Sequence, residues 1–282
     1  MGKLDGKVVF ITGAARGQGR SHAIRLAGEG ASIIAVDICA QIDSVPYPLA
    51  TPDDLAETVK SVENLGGAIV GVQADVRDRP ALRAALDEGL AQFGRLDVVC
   101  ANAGVCPAVD ATLAAGFVDG MDVDLIGVMN TVAISLPHLG SGASIIVTGS
   151  TAGMIEGTTE RMGNTGGVGY SLAKQMIARY VEVLALQLAP AMVRLNAIHP
   201  TNVDTHLLHN ETIYKAFRPD LEHPTREDAE LAFPAMQAMP IPYIDPSDVS
   251  ALVSFLASDE SRYITGLNLR IDAGAMLKAS PV

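Results

Sequence analysis

Apolar residues in this chain fall into short unbroken runs, separated by longer stretches in which they recur every three or four positions. The runs are Lys7–Thr12, Ala31–Val36, Ala68–Gln73, Leu96–Ala101, Ala143–Thr148 and Arg194–Ile198, with a short one at Asn268–Ile271. Runs that stay apolar instead of alternating predict strands covered on both faces, as in a parallel sheet. Between them the spacing predicts helices. One follows Gly19, with Ile24, Leu26 and Ala27 apolar, and ends near Gly28-Glu29-Gly30. Another opens at Thr51-Pro52-Asp53-Asp54, with threonine as N-cap, proline first and acids in the first turn, and runs to Gly66-Gly67. A third follows Asp78-Arg79-Pro80 and ends at Gly94. A long helix is predicted from Phe117 to Leu139, one carrying Tyr170 runs to about Ala189, and Asp245-Pro246-Ser247-Asp248 caps the last. The glycine-rich stretch Gly157–Gly169 reads as a loop, and Pro200–Pro246 as irregular chain with short helices.

Strand and helix alternate with no repeat and no low-complexity linker. The fold class is therefore α/β: a single doubly wound domain over residues 1–282, with helices on both faces of a parallel sheet and residues 200–246 as a substrate-loop insertion. Ligands of such sheets bind beyond the carboxyl ends of the strands. Gly13, Asp37, Asn102, Ser150 and Pro200 all fall there.

Composition narrows the functions. A 282-residue chain that is 49% hydrophobic can build one large core. Its net charge of -12 and lack of a basic patch argue against a nucleic-acid partner. No apolar run reaches membrane-spanning length, and the N-terminus has no signal-peptide core, so no membrane partner and a cytoplasmic location are expected. Cys39, Cys100 and Cys106 form no Cys-x-x-Cys pair, which fits a reducing compartment. His206, His209 and His223 cluster in the polar stretch after Pro200, but without cysteine or carboxylate spacing they predict surface residues and no metal site.

Three stretches carry chemistry. Gly13-Ala14-Ala15-Arg16-Gly17-Gln18-Gly19 follows the first strand and opens a helix, where glycines let the backbone approach a pyrophosphate at the helix N-terminus. Asp37 ends the second strand, where a carboxylate holds a ribose diol and repels a 2′-phosphate. Arg16 pulls toward that phosphate, but Asp37 lies against the group itself, so NAD is preferred over NADP. Tyr170 and Lys174, four apart, share one helix face. A neighbouring ammonium favours phenolate and suits the tyrosine to move a proton to or from an alcohol oxygen. Ser150, after the fifth strand, is a third candidate, although most such serines only cap or turn.

Taken in order, Thr12–Gly19, Asp75-Val76, Asn102-Ala103-Gly104, Ser150, Tyr170 with Lys174, and Pro200–Thr205 resemble the short-chain dehydrogenase/reductase family over nearly the whole chain. The resemblance implies a Rossmann-type fold and an NAD-dependent enzyme acting on an alcohol or ketone. It implies that Gly13, Arg16, Gly17, Gln18, Gly19, Asp37 and Ile38 hold the adenosine and pyrophosphate, and that Asp75 and Val76 contact the adenine. Asn102, Ala103 and Gly104 would pack against the cofactor, and Val203 and Thr205 belong to the segment holding the carboxamide. Ser150 would bind the substrate oxygen, Tyr170 move the proton, and Lys174 hold the nicotinamide ribose and lower the tyrosine pKa. Where the family has asparagine in a Val-Asn-Leu setting, this chain has Val123-Asp124-Leu125, so Asp124 joins the catalytic set as a departure. Asn130, six residues on, should face another side.

The insert from Ile38 to Thr51, with Gly17–His22, resembles the mycofactocin-coupled, carveol dehydrogenase-like branch of that family. This implies tightly held NAD, mycofactocin as electron acceptor and a homotetramer. The substrate would be a hydrophobic secondary alcohol, with Leu207, Leu208, Ile213, Phe217, Phe233, Met236 and Met239 in the pocket region. A steroid or sugar dehydrogenase of the same family and a non-catalytic NAD-binding sensor are the alternatives.

Overall fold

The computed structural model describes residues 2–107, 114–160 and 165–279. The first half runs β1 (Val8–Thr12), α1 (Gly17–Gly28), β2 (Ser32–Asp37), α2 (Pro52–Glu63), β3 (Ile69–Gln73), α3 (Arg79–Phe93) and β4 (Leu96–Ala101). The second runs α4 (Ala114–Met121), a π-helical turn (Asp122–Gly127), α5 (Val128–Ser135), β5 (Leu139–Thr148), α6 (Thr165–Leu188) and β6 (Arg194–Pro200). It closes with α7 (Glu211–Phe217), α8 (Arg226–Ala232), α9 (Pro246–Ala257), β7 (Asn268–Ile271) and α10 (Ala275–Ala279).

The strands form one sheet in the order β3-β2-β1-β4-β5-β6-β7, and all its pairings are parallel. The order reverses direction between β1 and β4, which opens a crevice at their carboxyl ends. Side chains alternate across the sheet. Phe10, Ile34 and Val99 enter one fully buried layer with Val181 and Leu82, while Val9, Ile11 and Ile33 enter the other with Leu26 and Val253. Continuous apolar runs are what such a two-layered arrangement requires.

Local chemistry sets the helix ends. Thr51 and Asp54 form a reciprocal capping box on α2, and Asp78 accepts the Ala81 N–H on α3, which stops at the left-handed Gly94. Asp245 and Asp248 cap α9 in the same way, but α9 is not the last helix, since α10 follows β7.

Three expectations need correction. The helix read from Phe117 to Leu139 starts earlier, passes through the π turn at Asp122–Gly127, and yields Leu139 to β5, four residues before the predicted strand start at Ala143. The loop read at Gly157–Gly169 ends early, because α6 is already helical at Thr165. Gly157 does turn, at φ +75°, but Gly166 and Gly169 serve packing: a Cβ on Gly166 would sit 1.7 Å from the Pro107 carbonyl oxygen, and one on Gly169 2.8 Å from that of Phe117. Composition sees the glycines but not the partner that needs them small. Among the described residues, no helix is long and apolar enough to cross a membrane.

Candidate functional site

A cleft of about 680 Å³ opens at the carboxyl ends of the strands. Gly13, Arg16, Gly17, Gln18, Gly19, Asp37, Ile38, Asp75, Val76, Asn102, Ala103, Gly104, Asp124, Ser150, Tyr170, Lys174, Val203 and Thr205 all border it, so one surface gathers every catalytic and cofactor candidate.

Its floor is backbone. Gly13 (φ +68°) and Gly17 (φ +54°) take left-handed turns between β1 and α1, and a Cβ on Gly13 would lie 2.7 Å from Ala103 Cα. No side chain caps α1, and its first turn holds no acid, so its N–H groups face the cleft free for an anion. Asn102 ties the neighbouring strand ends together. Its Nδ2 donates to the Thr12 carbonyl at 3.1 Å, and its Oδ1 accepts from Thr148 Oγ1 at 3.2 Å.

The buried carboxylate of Asp37 accepts the Ala15 N–H at 3.0 Å and the Cys39 N–H at 3.1 Å. Burial pushes its carboxyl above the usual range, against the pull of those two donors. Arg16 is drawn toward the insert, where its Nη2 donates to the Pro48 carbonyl at 2.6 Å. Asp75 is braced by Arg77, which bridges to Asp119 at 2.8 Å. Asn130 faces this side, donating to the Val76 carbonyl at 2.9 Å. Thr205 faces the start of α1, its Cγ2 3.3 Å from where a Gly17 Cβ would stand.

The insert between β2 and α2 forms a strap over this end. Ile38, Ile42, Tyr47, Leu49 and Ala50 line the cleft. Gln41 holds the strap in shape by donating to the Val45 and Tyr47 carbonyls, and Ser44 donates to Asp119 at 2.6 Å. Tyr47 reaches furthest: its hydroxyl accepts the Cys106 N–H at 3.0 Å, across from β4. The sequence reading missed this tyrosine, though a proline on each side of a lone aromatic in an apolar insert was a usable signal.

At the other end stand the hydroxyls and the amine. Ser150 and Tyr170 share a side-chain hydrogen bond, and the Lys174 ammonium lies 5.6 Å from the Tyr170 ring centre. Lys174 donates to the Thr148 carbonyl at 2.9 Å and pairs with Asp124 Oδ1 at 2.9 Å, both side chains buried. The phenol is pushed well above its ordinary range, first by burial and then by Cys106 and Asp124. The direction in the chain alone is therefore opposite to the lowering expected from sequence, with burial as its largest cause.

Behind Ser150 sits His199, also missed. Its Nδ1 accepts the Ser150 N–H at 3.2 Å, and its Nε2 faces Asn268 Oδ1 at 3.0 Å. Burial holds its pKa below normal, so the ring is neutral. A histidine inside the apolar run Ala197–Pro200 was the signal.

The outer wall comes from α7, α8 and their flanks. Leu207, Leu208, Ile213, Phe217 and Met236 border the cleft as expected, but Phe233 and Met239 do not. Phe233 is fully buried beneath, edge-on to Phe217 at 4.7 Å, and Met239 is 61% exposed. His209 turns away to Asp204 at 2.8 Å, and no His, Cys, Asp and Glu cluster among the described residues suits a metal.

A dinucleotide fits this architecture. The glycine cradle has no room for side chains, and two buried polar atoms of residues bordering the cleft, Gln18 Oε1 and Asn202 Nδ2, have no partner among the described residues. Buried polar atoms are nearly always hydrogen-bonded, so a polar ligand accounts for both.

Comparison with known proteins agrees. A family described as enoyl-(acyl carrier protein) reductase matches residues 13–276. A (-)-trans-carveol dehydrogenase of Rhodococcus erythropolis is 44% identical, over 99% of this chain and 100% of its own. Among solved structures, a carveol dehydrogenase from Mycobacterium avium in complex with NAD superimposes with a TM-score of 0.92 at 46% identity, covering 99% of this chain and 100% of that one. A short chain dehydrogenase from Mycobacterium paratuberculosis bound to NAD gives 0.86 at 37% identity, covering 98% and 100%. With likeness of this extent joined to the glycine cradle, the acid after β2 and the Ser150, Tyr170, Lys174 grouping, the chain belongs to the short-chain dehydrogenase/reductase family.

Proposed function

We propose that this protein is an NAD-dependent dehydrogenase/reductase that interconverts a hydrophobic, terpenoid-like secondary alcohol and its ketone. The observation that carries the substrate class is the wall around Ser150 and Tyr170. Ile155, Val168, Leu207, Ile213, Phe217 and Met236 face that end of the cleft. Among the described residues, the charged pair bordering that end, Asp124 and Lys174, is spent on itself. A phosphorylated or polyhydroxylated substrate would find few partners there and pay for desolvation. The carveol dehydrogenases similar to this chain support the same class.

NAD supplies the hydride acceptor or donor. Asp37, closed in by Ala15 and Cys39, presents its remaining lone pairs to a ribose diol and repels a 2′-phosphate. Gln18 and Asn202 satisfy their open hydrogen-bonding atoms on the cofactor. Ser150 hydrogen-bonds the substrate oxygen and holds it against the Tyr170 hydroxyl. Tyr170 accepts the alcohol proton in oxidation and returns it in reduction. Lys174, ion-paired to Asp124, fixes the nicotinamide end. His199 positions the Ser150 main chain.

The strap, tied to Asp119 and Cys106 across the cleft, supports tightly held NAD; mycofactocin as its electron acceptor rests on the resemblance to the carveol dehydrogenase-like branch. A homotetramer is supported by Met176, Val183 and Leu186 on the outer face of α6, with Leu186 78% exposed. The test is to follow bound-nicotinamide absorbance while screening cyclic terpenoid alcohols, steroids and sugars with an artificial electron acceptor present. Turnover of cyclic terpenoid alcohols in preference to sugars is expected; turnover of sugars alone would overturn the substrate class.

A further inference from the structure

Asp124 has no route to water. Its side chain is fully buried, as is that of Lys174, whose Nζ lies 2.9 Å from Asp124 Oδ1. Main chain holds the carboxylate as well, through the Val105 N–H on Oδ2 at 3.2 Å. Gly104 makes the room, since a Cβ there would stand 2.6 Å from Asp124 Oδ1 and 3.5 Å from Lys174 Nζ. Asp124 lies within the π-helical turn, a local widening often found at functional sites.

An ionised carboxylate 2.9 Å from the ammonium cancels its charge, and this matters because the pair adjoins Tyr170; burial pushes the Asp124 carboxyl up, while Lys174 and the Val105 N–H pull it back down. An unpaired ammonium there would favour phenolate; a carboxylate bonded to it cancels most of that pull. Among the described residues, no other group facing the phenol restores a cation. Cys106, Tyr47 and Ser150 surround it, Arg16 acts on Tyr47 from the far side, and His199 behind Ser150 is neutral.

Building on the cleft as an NAD site, we propose that Asp124 is a positioning residue that sets the charge of the active site. By neutralising Lys174 it keeps Tyr170 protonated and favours the cationic, oxidised nicotinamide over the neutral, reduced one. The first populates the acid form from which carbonyl reduction starts; the second favours the nucleotide that reduction leaves, so net alcohol oxidation depends on an acceptor that draws electrons from the bound nicotinamide. In reduction the carbonyl carbon gains a hydride, with both its electrons, from the reduced nicotinamide. The carbonyl π electrons move to oxygen, and oxygen takes the Tyr170 proton. Alcohol, oxidised nicotinamide and a phenolate result, and the phenolate regains its proton from solvent.

The discriminating variant is Asp124→Asn, nearly isosteric and still able to accept the Val105 N–H. The readout is the ratio of NADH to NAD dissociation constants, titrated on protein freed of carried nucleotide with charcoal. Asp124→Asn should weaken NAD relative to NADH by about tenfold, and lower the apparent pKa limiting alcohol oxidation by about one unit. The ratio should shift equally in a Tyr170→Phe background, where chemistry is absent. If Asp124→Asn does not fold, Asp124→Ser, smaller and still an acceptor, reads the same ratio. An unchanged ratio, or a shift toward NAD, overturns the proposal. The titration needs no alcohol, so a failed substrate screen leaves this inference standing, and its failure leaves the alcohol assignment standing.

Discussion

From β1 to β4 the cleft is walled by main chain, whereas beyond β6 it is walled by side chains. On the first bank, Gly13 and Gly19 are tight against backbone: a Cβ on Gly19 would lie 2.0 Å from the Gly13 carbonyl oxygen. On the second, the short helices α7 and α8 stack Leu208, Tyr214, Ala229 and Phe233 into a small core of their own. On the proposed reading, the first bank recognises a fixed ligand by carbonyl, N–H and one carboxylate. The second offers shape and apolar area, and its residues can be exchanged for others of similar volume. One bank is expected to fail outright when altered, the other to shift its preference.

The contrast breaks most sharply at the chemistry between the banks. Tyr170→Phe should lower turnover by roughly 10²–10⁴-fold while NAD affinity, read by titration, stays near its parent value. If turnover survived, the proton path assigned to Tyr170 would be wrong. On the nucleotide bank, Gly19→Ala should abolish measurable NAD binding and lower the melting temperature, since the new methyl has only backbone to push against. Asp37→Asn should cut the preference for NAD over NADP by at least about tenfold, because a like-charge contact is what excludes the phosphate. Both are read by titrating the two nucleotides. On the opposite bank, Phe217→Ala should raise KM for the alcohol about tenfold and leave the NAD dissociation constant alone. An equal loss of nucleotide affinity would show that the two banks are one unit. The smallest effect lies outside both: Thr51→Ala removes the α2 capping box and should cost about 1 kcal/mol in denaturant unfolding, with kinetics intact.

The same division explains what could be read from sequence. Gly13–Gly19, Asp37 and Asn102 were legible because few residue types meet the demands of a left-handed turn, a close backbone approach or a buried carboxylate. The strands were legible because burial on both faces leaves unbroken apolar runs. Gly166 and Gly169 were misread because the same residue that frees a loop also lets two helices touch. Phe233 and Met239 were misplaced because apolar content does not say which way a short helix turns. Tyr47 and His199 act through contacts with Cys106 and Ser150, 59 and 49 positions away in the chain, and no local pattern records such pairs.

His199 links Ser150 to Asn268, and Asn268 lies on β7, the outermost ribbon of the sheet. Heat frays a border ribbon before it reaches the centre. Gentle warming should therefore silence turnover while the nucleotide grip, anchored on the central ribbons, still holds. A thermally dulled sample would look fully loaded and yet be idle.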